Sequence, residues 1–193
     1  MAAGPDEDLP RCRWALTDPL LMRYHDEEWG RPKRDPRELW EKLMLDGFQA
    51  GLSWKTILRK REAFRSAFRG FEPSVVARFG EQDIERLVHD AGIVRSRMKI
   101  EAVIGNADAY VRMLAGGEDF AVFAWSAVGG STLPGDGTGQ ATRSPAGDAL
   151  SVALRERGFS FVGPVIVHAW LQAAGLIDDH EAGCFLRGAG RPD

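Results

Sequence analysis

The sequence predicts an all-α fold, on three observations. Apolar residues recur at helical spacing in nearly every segment, prolines and small polar residues open those segments, and glycines close them. Strand patterns are few. "FSFVGPVIV" (159–167) is rich in β-formers, but Pro164 and the following "HAWLQAAG" favour a helix that starts at the proline.

The elements follow in chain order. In "DPRELWEKLMLDGFQAG" (35–51), Asp35 is a candidate N-cap and Pro36 takes the first helical position. Leu39, Leu43 and Met44 repeat along one face, and Gly47 or Gly51 ends or kinks the helix. "SWKTILRKREAFRSAFRG" (53–70) has Ser53 as its cap and aligns Ile57, Phe64 and Phe68, with Gly70 as the stop. "EPSVVARFG" and "GEQDIERLVHDAG" read as two short helices, the second ending at Gly92. "RSRMKIEAVIGNADAYVRML" (95–114) is a long amphipathic helix carrying Ile100, Ile104 and Met113. "DALSVALRERGF" and "GPVIVHAWLQAAGLIDDHEAGCFL" complete the set. Residues 129–147, "GGSTLPGDGTGQATRSPAG", form the one clear loop, either a plain connection or a functional one.

Composition bounds the function. The 193 residues are 44% hydrophobic and 27% charged, ordinary for a globular chain with a sizeable core. The net charge of −3 requires any nucleic-acid binding to use a local basic face. The acidic start "MAAGPDEDLP" is no signal peptide, and no apolar run matches a membrane span. Two cysteines in such a chain are expected to be reduced thiols or metal ligands, not a disulfide framework.

Each cysteine has a histidine partner. Cys12 precedes His25 in "MRYHDEEWG", and His180 lies four residues before Cys184 in "DDHEAGC". Four apart on a helix, His180 and Cys184 would share a face. Together the four offer the tetrahedral thiolate and imidazole set of a structural zinc site, which would staple the chain ends. The alternative is two buried thiols and two surface histidines.

Two further stretches carry chemistry. "IERLVHDAGIVRSRMKIEAVIGNA" (84–107) reads as helix, turn, helix, with Arg95, Arg97 and Lys99 just after Gly92. Such a hairpin either holds a DNA phosphate without reading sequence or is an ordinary packing unit with a solvated basic face. "DGFQAGLSWKT" (46–56) gathers Asp46, Phe48, Gln49, Leu52 and Trp54. If exposed, Trp54 stacks on a base, Leu52 wedges into a duplex and Asp46 accepts from a base edge; otherwise the aromatics are core.

Five stretches in this order resemble the 3-methyladenine DNA glycosylase I family: "CRWALTDPLLMRYHDEEWG", "LDGFQAGLSWKTILRKRE", "ERLVHDAGIVRSRMKIEAVIGNA", "DALSVALRERGFSFVG" and "LQAAGLIDDHEAGC". The resemblance runs from about Arg11 to Cys184, and the combination is far more specific than any one stretch. It implies a helix-hairpin-helix glycosylase fold of two helical lobes within residues 11–187, with short tails at 1–10 and 188–193. It implies one structural Zn²⁺ per chain on Cys12, His25, His180 and Cys184. It implies a pocket of Trp14, Tyr24 and Trp54 around a flipped base, with Asp46 as the catalytic carboxylate. Gly51 and Leu52 then fill the gap left by the base, and Gly92, Arg95, Arg97 and Lys99 hold the DNA backbone.

The chain also departs from the family pattern. Asp46 stands where the family has glutamate, Leu21 and His168 where tyrosine is usual, and Phe48 where glutamine is usual. These changes cluster at specificity positions and leave the Cys/His set intact. Asp108 reads as a surface residue and Lys99 as a phosphate contact, so the implied enzyme is monofunctional: it releases N3-methyladenine from alkylated duplex DNA and leaves an abasic site. The small size and negative net charge fit a monomer, and the lack of a signal peptide or membrane-spanning run leads us to expect a cytoplasmic protein with no membrane partner. Leu21 and Asp46 keep a second reading open, a relative that binds lesions or structured DNA with altered base specificity or no excision activity. A zinc-stapled interaction module would explain the cysteines but neither the hairpin nor "QAGLSW".

Overall fold

The computed structural model describes residues 9–189. The fold is mostly helical, built on α1 (Pro19–Glu27), α2 (Pro36–Gln49), α3 (Trp54–Ala67), α4 (Pro73–Val76), α5 (Glu81–His89), α6 (Arg97–Ala115), α7 (Phe120–Ser126), α8 (Pro145–Glu156) and α9 (Pro164–Ala173). Short 3-10 turns occupy Arg13–Thr17 and Arg69–Phe71. Two two-residue strands, β1 (Leu133–Pro134) and β2 (Ile177–Asp178), pair in parallel.

Local chemistry starts the helices where the sequence reading put them. Asp35 and Ser53 accept from the backbone N–H groups of Glu38 and Thr56, and Pro36 and Pro164 take first-turn positions. Asp18 and Asp119 do the same for α1 and α7, two helices the sequence reading did not assign. Other boundaries move. α2 runs through Gly47 to Gln49, and the left-handed Gly51 (φ 79°) makes the turn. α5 stops at His89, before Gly92. α8 begins at Pro145, so the loop ends at Ser144, which caps that helix.

One expectation is overturned. His180 and Cys184 do not share a helix face, because α9 ends at Ala173. They lie in an irregular loop after β2, held by a hydrogen bond from the Cys184 N–H to the Glu181 carbonyl. Asp178 fixes the same loop, accepting from the Gly188 N–H at 2.7 Å and holding His180 Nδ1 at 2.8 Å.

The core is one continuous cluster around α2. Every residue from Leu39 to Phe48 is buried, with α3, α6, α7 and α9 packed on different sides. Phe48, Phe64, Phe68 and Phe71 form a run of ring contacts between α2 and α3, at centroid separations of 4.6 Å for Phe48–Phe64 and 5.4 Å for Phe68–Phe71. Trp170 of α9 is fully buried and donates from Nε1 to the Leu39 carbonyl at 2.9 Å. Gly175 (φ 76°) permits the chain after α9 to pass the backbone of Arg31 and Pro32, where a Cβ would meet main-chain atoms at 2.5 Å.

The chain ends meet. The Phe185 N–H donates to the Pro10 carbonyl at 2.8 Å, and the side chains of Arg13 and Glu181 pair at 3.1 Å. Residues 1–8 and 190–193, most of the two expected tails, lie outside the described residues.

The phenylalanine run predicts a measurable cost. Phe68→Ala removes a fully buried ring that touches four others. It should lower unfolding free energy by about 3–5 kcal/mol, seen as a lower urea midpoint at unchanged slope. A loss under about 1 kcal/mol would mean that the neighbouring rings close the gap.

Candidate functional site

A cavity of about 220 Å³ opens where the 3-10 turn, α1, α2, α3 and α9 converge. Trp14 comes from the turn, Tyr24 from α1, Trp29 from just beyond it and Trp54 from the first residue of α3. Their faces are set by mutual packing. Tyr24 and Trp54 lie 5.4 Å apart at 44°, and Trp14 meets Trp29 edge-on at 5.2 Å. α2 contributes Lys42, Asp46 and Gln49, spaced four and three residues apart and so on one helix face. The far wall comes from Gln172 and Asp179, with Gly139 and Ala141 of the long loop.

Asp46 is the carboxylate at the centre. It is 4% exposed, and its Oδ1 accepts from Lys42 Nζ at 2.5 Å. Its Oδ2 is buried with no hydrogen-bond partner among the described residues. Burial raises the Asp46 pKa and lowers that of Lys42, while their mutual attraction opposes both shifts. Burial also holds the Tyr24 hydroxyl well above the ordinary tyrosine range, with the Asp46 charge adding to it. An unmatched buried acceptor is costly unless a ligand donates to it.

A second carboxylate, Asp179, borders the same space. Its Oδ2 accepts from Gln172 Nε2 at 2.6 Å, and its Oδ1 is buried and unpartnered among the described residues.

Beside the aromatic wall lies a buried donor cluster. One ligand atom each from Cys12, His25 and Cys184 falls within 4.8 Å of the others. His25 Nε2 is 3.3 Å from Cys184 Sγ, and its Nδ1 is 2.7 Å from Asp26 Oδ1. Arg11 donates to the same Asp26 carboxylate at 2.8 Å. His180 flanks the three: its ring is 5.3 Å from that of His25, and its Nε2 is buried without a partner among the described residues. Burial pushes the Cys12 thiol up to about 12. Trp29 sits between cluster and cavity, 4.7 Å from the His180 ring.

The structure places the other predicted residues less uniformly. Phe48 points away from the cavity into the core, because it lies more than half a helical turn past Asp46, and Gln49, nearly a full turn on, takes the wall instead. Leu21 is part-buried on α1 and does not line the cavity. His168 is buried on α9 facing a neighbouring cavity, with Nδ1 3.0 Å from Ser144 Oγ. Gly51 and Leu52 form an exposed turn, Leu52 being 43% exposed. At Gly92 a Cβ would meet Ala63 at 3.0 Å, so the α5–α6 turn packs tightly on α3. Arg95 is exposed there, whereas Arg97 pairs with Glu81, Glu85 and Glu101. Lys99 donates to the Phe48 and Ala50 carbonyls at 2.9 and 2.6 Å, capping the end of α2. Asp108 lies on the surface with Arg112 as its ion-pair partner.

Sequence reasoning missed Lys42, Gln172 and Asp179. Lys42 carried a signal, lying four residues before Asp46 on one helix face. Gln172 and Asp179 carried none, since only tertiary packing brings them to the wall.

Residues 14–187 match the methyladenine glycosylase family. The chain is 48% identical over 187 residues to DNA-3-methyladenine glycosylase 1 of Escherichia coli (strain K12), covering 95% of this chain and 100% of that protein. It is 41% identical to DNA-3-methyladenine glycosylase of Haemophilus influenzae, covering 90% and 96%. Among solved structures, a 3-methyladenine DNA glycosylase I superposes with TM-score 0.88 at 47% identity, covering 91% of this chain and 98% of that one. The Staphylococcus aureus enzyme, solved for the structural basis of 3-methyladenine recognition, superposes with TM-score 0.86 at 38% identity, covering 95% and 97%. The chain therefore belongs to the methyladenine glycosylase family.

Proposed function

We propose that this chain is a DNA-3-methyladenine glycosylase that excises the damaged base from alkylated duplex DNA. One observation carries the reading: a buried carboxylate, Asp46, keeps an unmatched acceptor at a cavity walled by Trp14, Tyr24 and Trp54. The cavity is smaller than the about 300–1,000 Å³ of drug-sized sites, which suits a single heterocyclic base. Identity to named glycosylases over nearly the whole chain supports the same reading.

The chemistry asks little of the protein beyond binding. An N3-methylated adenine carries a positive charge, so its N9–C1′ bond is already weakened. That bond breaks with its electron pair going to the base, which leaves neutral. Water adds at C1′ and loses a proton, giving an abasic site. The aromatic faces hold the base after it leaves the stack, and Asp46 accepts from its edge. Leu52 fills the gap, and the exposed Arg95 holds backbone phosphate at the α5–α6 hairpin. Arg97 and Lys99 already have protein partners and support the hairpin from within. With Asp108 paired on the surface and Lys99 capping α2, the enzyme is read as monofunctional. We read residues 11–187 as one domain of two helical lobes, working as a monomer in the cytoplasm.

We also infer one structural Zn²⁺ per chain. Cys12, His25 and Cys184 cluster, and the buried Nε2 of His180, without a partner among the described residues, would supply the fourth donor. Asp26 and Asp178 hold the far nitrogens of the two histidines, as carboxylates do for imidazoles that bind a metal. Four protein ligands leave no open position, so the ion would supply structure and no reaction step.

The Lys42–Asp46 pair favours a second reading, a relative that binds lesions without excising them, since the acceptor is partly engaged. Incubation with methylated duplex DNA and chromatography of released bases separates the two. Release of 3-methyladenine is expected, and binding without release would favour the second. Asp46→Ala should cut excision by about a hundredfold or more while leaving DNA binding in place. Arg95→Ala should weaken binding to undamaged duplex and flatten its salt dependence more than Arg97→Ala does. Protein purified without added metal should contain one zinc per chain, and Cys184→Ser should lose the ion and unfold at lower denaturant. Far less than one zinc in a folded wild type would remove the zinc assignment.

A further inference from the structure

Two lysines bind backbone carbonyls, and both lie between the same elements. Lys60 of α3 donates from Nζ to the Ala91 and Gly92 carbonyls, at 2.9 and 3.1 Å. Those carbonyls belong to the turn between α5 and α6. Lys99 of α6 donates to the Phe48 and Ala50 carbonyls, at 2.9 and 2.6 Å. These close the end of α2, just before the exposed Leu52. One contact reaches from α3 to the turn. The other reaches from the helix after that turn back to the α2 end. With the chain between them they close a ring: α2 end, Leu52 turn, α3, α5–α6 turn, α6 and the α2 end again. Ala63, one turn beyond Lys60 on α3, lies where a Gly92 Cβ would come within 3.0 Å, so the hairpin turn is seated on α3 as well as tied to it. The Leu52 N–H donates to the Gln49 carbonyl at 2.6 Å, so the carbonyls of Phe48, Gln49 and Ala50 are all matched. Burial lowers the Lys99 pKa, and no carboxylate opposes it.

We propose that Lys60 and Lys99 are positioning residues for the duplex. They hold the Leu52 turn and the α5–α6 hairpin at one fixed separation, so that the wedge and the backbone grip engage the DNA in a single docked geometry. Neither ammonium touches the DNA. The inference rests on reading Leu52 and the hairpin as the DNA-contacting elements. Charge-assisted hydrogen bonds are stronger than neutral ones, and each lysine makes two, which suits a tie that keeps its length. The lysines also remove negative charge from the docking face. The C-terminal end of α2 carries roughly half a negative elementary charge from its dipole, beside the turn where a phosphate backbone would pass. Lys99 matches that end directly. Lys60 does the same for the two hairpin carbonyls, whose oxygens would otherwise repel a phosphate held by Arg95.

Fluorescence anisotropy with a labelled duplex tests this, using the full chain across a salt series. The duplex carries one tetrahydrofuran abasic analogue, so no base needs to be recognised. Lys60→Ala should weaken binding by about tenfold, in line with the loss of charge-assisted hydrogen bonds. The slope of log affinity against log salt should stay at the wild-type value, whereas a lysine that touched phosphate would lower it by about one unit. Methylammonium chloride in place of sodium chloride, at equal ionic strength, should recover about threefold or more of the lost affinity, because it can donate to the vacated carbonyls. Tetramethylammonium chloride has no N–H and should recover none. Lys60→Arg should stay within about threefold of the wild type, since a guanidinium also donates to two acceptors. If Lys60→Ala does not fold, Lys60→Gln and Lys99→Gln carry the same test, each with weaker binding at an unchanged slope. A slope lowered by about one unit, or an affinity within about twofold of the wild type, would overturn the positioning role. So would a loss that neither methylammonium nor Lys60→Arg recovers. Arg95→Ala, measured in parallel, separates this inference from the reading beneath it. If Arg95→Ala changes neither affinity nor slope, the DNA-binding hairpin falls and takes the lysine role with it. If Arg95→Ala acts and the lysine variants do not, only the lysine role falls.

Discussion

Helix α2 is buried on all sides for ten consecutive residues, Leu39 to Phe48, and the rest of the molecule is organised by that constraint. A helix without a solvent face needs neighbours all round, which α3, α6, α7 and α9 provide. It also needs partners for every polar group it carries inward. Glu41 takes Arg65 at 2.7 Å, and Asp46 takes Lys42 from within the same helix. One Asp46 oxygen is left over, and it lies where the packing stops and the aromatic cavity begins. The half-matched carboxylate is thus a consequence of how deeply α2 is buried.

The second organising element is the meeting of the two chain ends. Trp14 and Trp29 form part of the cavity wall, yet both lie in or next to short, irregular segments. The Cys12, His25 and Cys184 cluster, with His180 beside it, ties those segments to the loop after β2. Trp29 touches both the cluster and the cavity, so rigidity at one is transmitted to the other. This gives a physical reason for a buried donor set beside the cavity wall.

Much of the helical frame was legible in the sequence, because its signals are local. Asp35, Ser53 and the prolines at 36 and 164 act through bonds spanning three or four residues. The α1 and α7 helices show no clear helical period: apolar residues are contiguous at Leu20–Met22 in the first and run through Phe120–Trp125 in the second. The His180–Cys184 spacing misled for a related reason. Four residues apart reads as one helix face only if the chain is helical there, and the left-handed Gly175 has already turned it toward β2.

Sequence alone determined the order of the motifs, the helix starts, the residue types of the donor cluster and the carboxylate at position 46. Tertiary structure decided which neighbours in a contiguous motif face the cavity. In "LDGFQAG", Phe48 enters the core and Gln49 reaches the cavity, because helix phase relative to α3 and α9 sets side-chain direction. It also decided which basic residues remain available. Arg95 is exposed to solvent, while Arg97 and Lys99, two and four positions on, are engaged by groups distant in sequence. Burial and pairing depend on contacts between remote segments, and no local pattern encodes them.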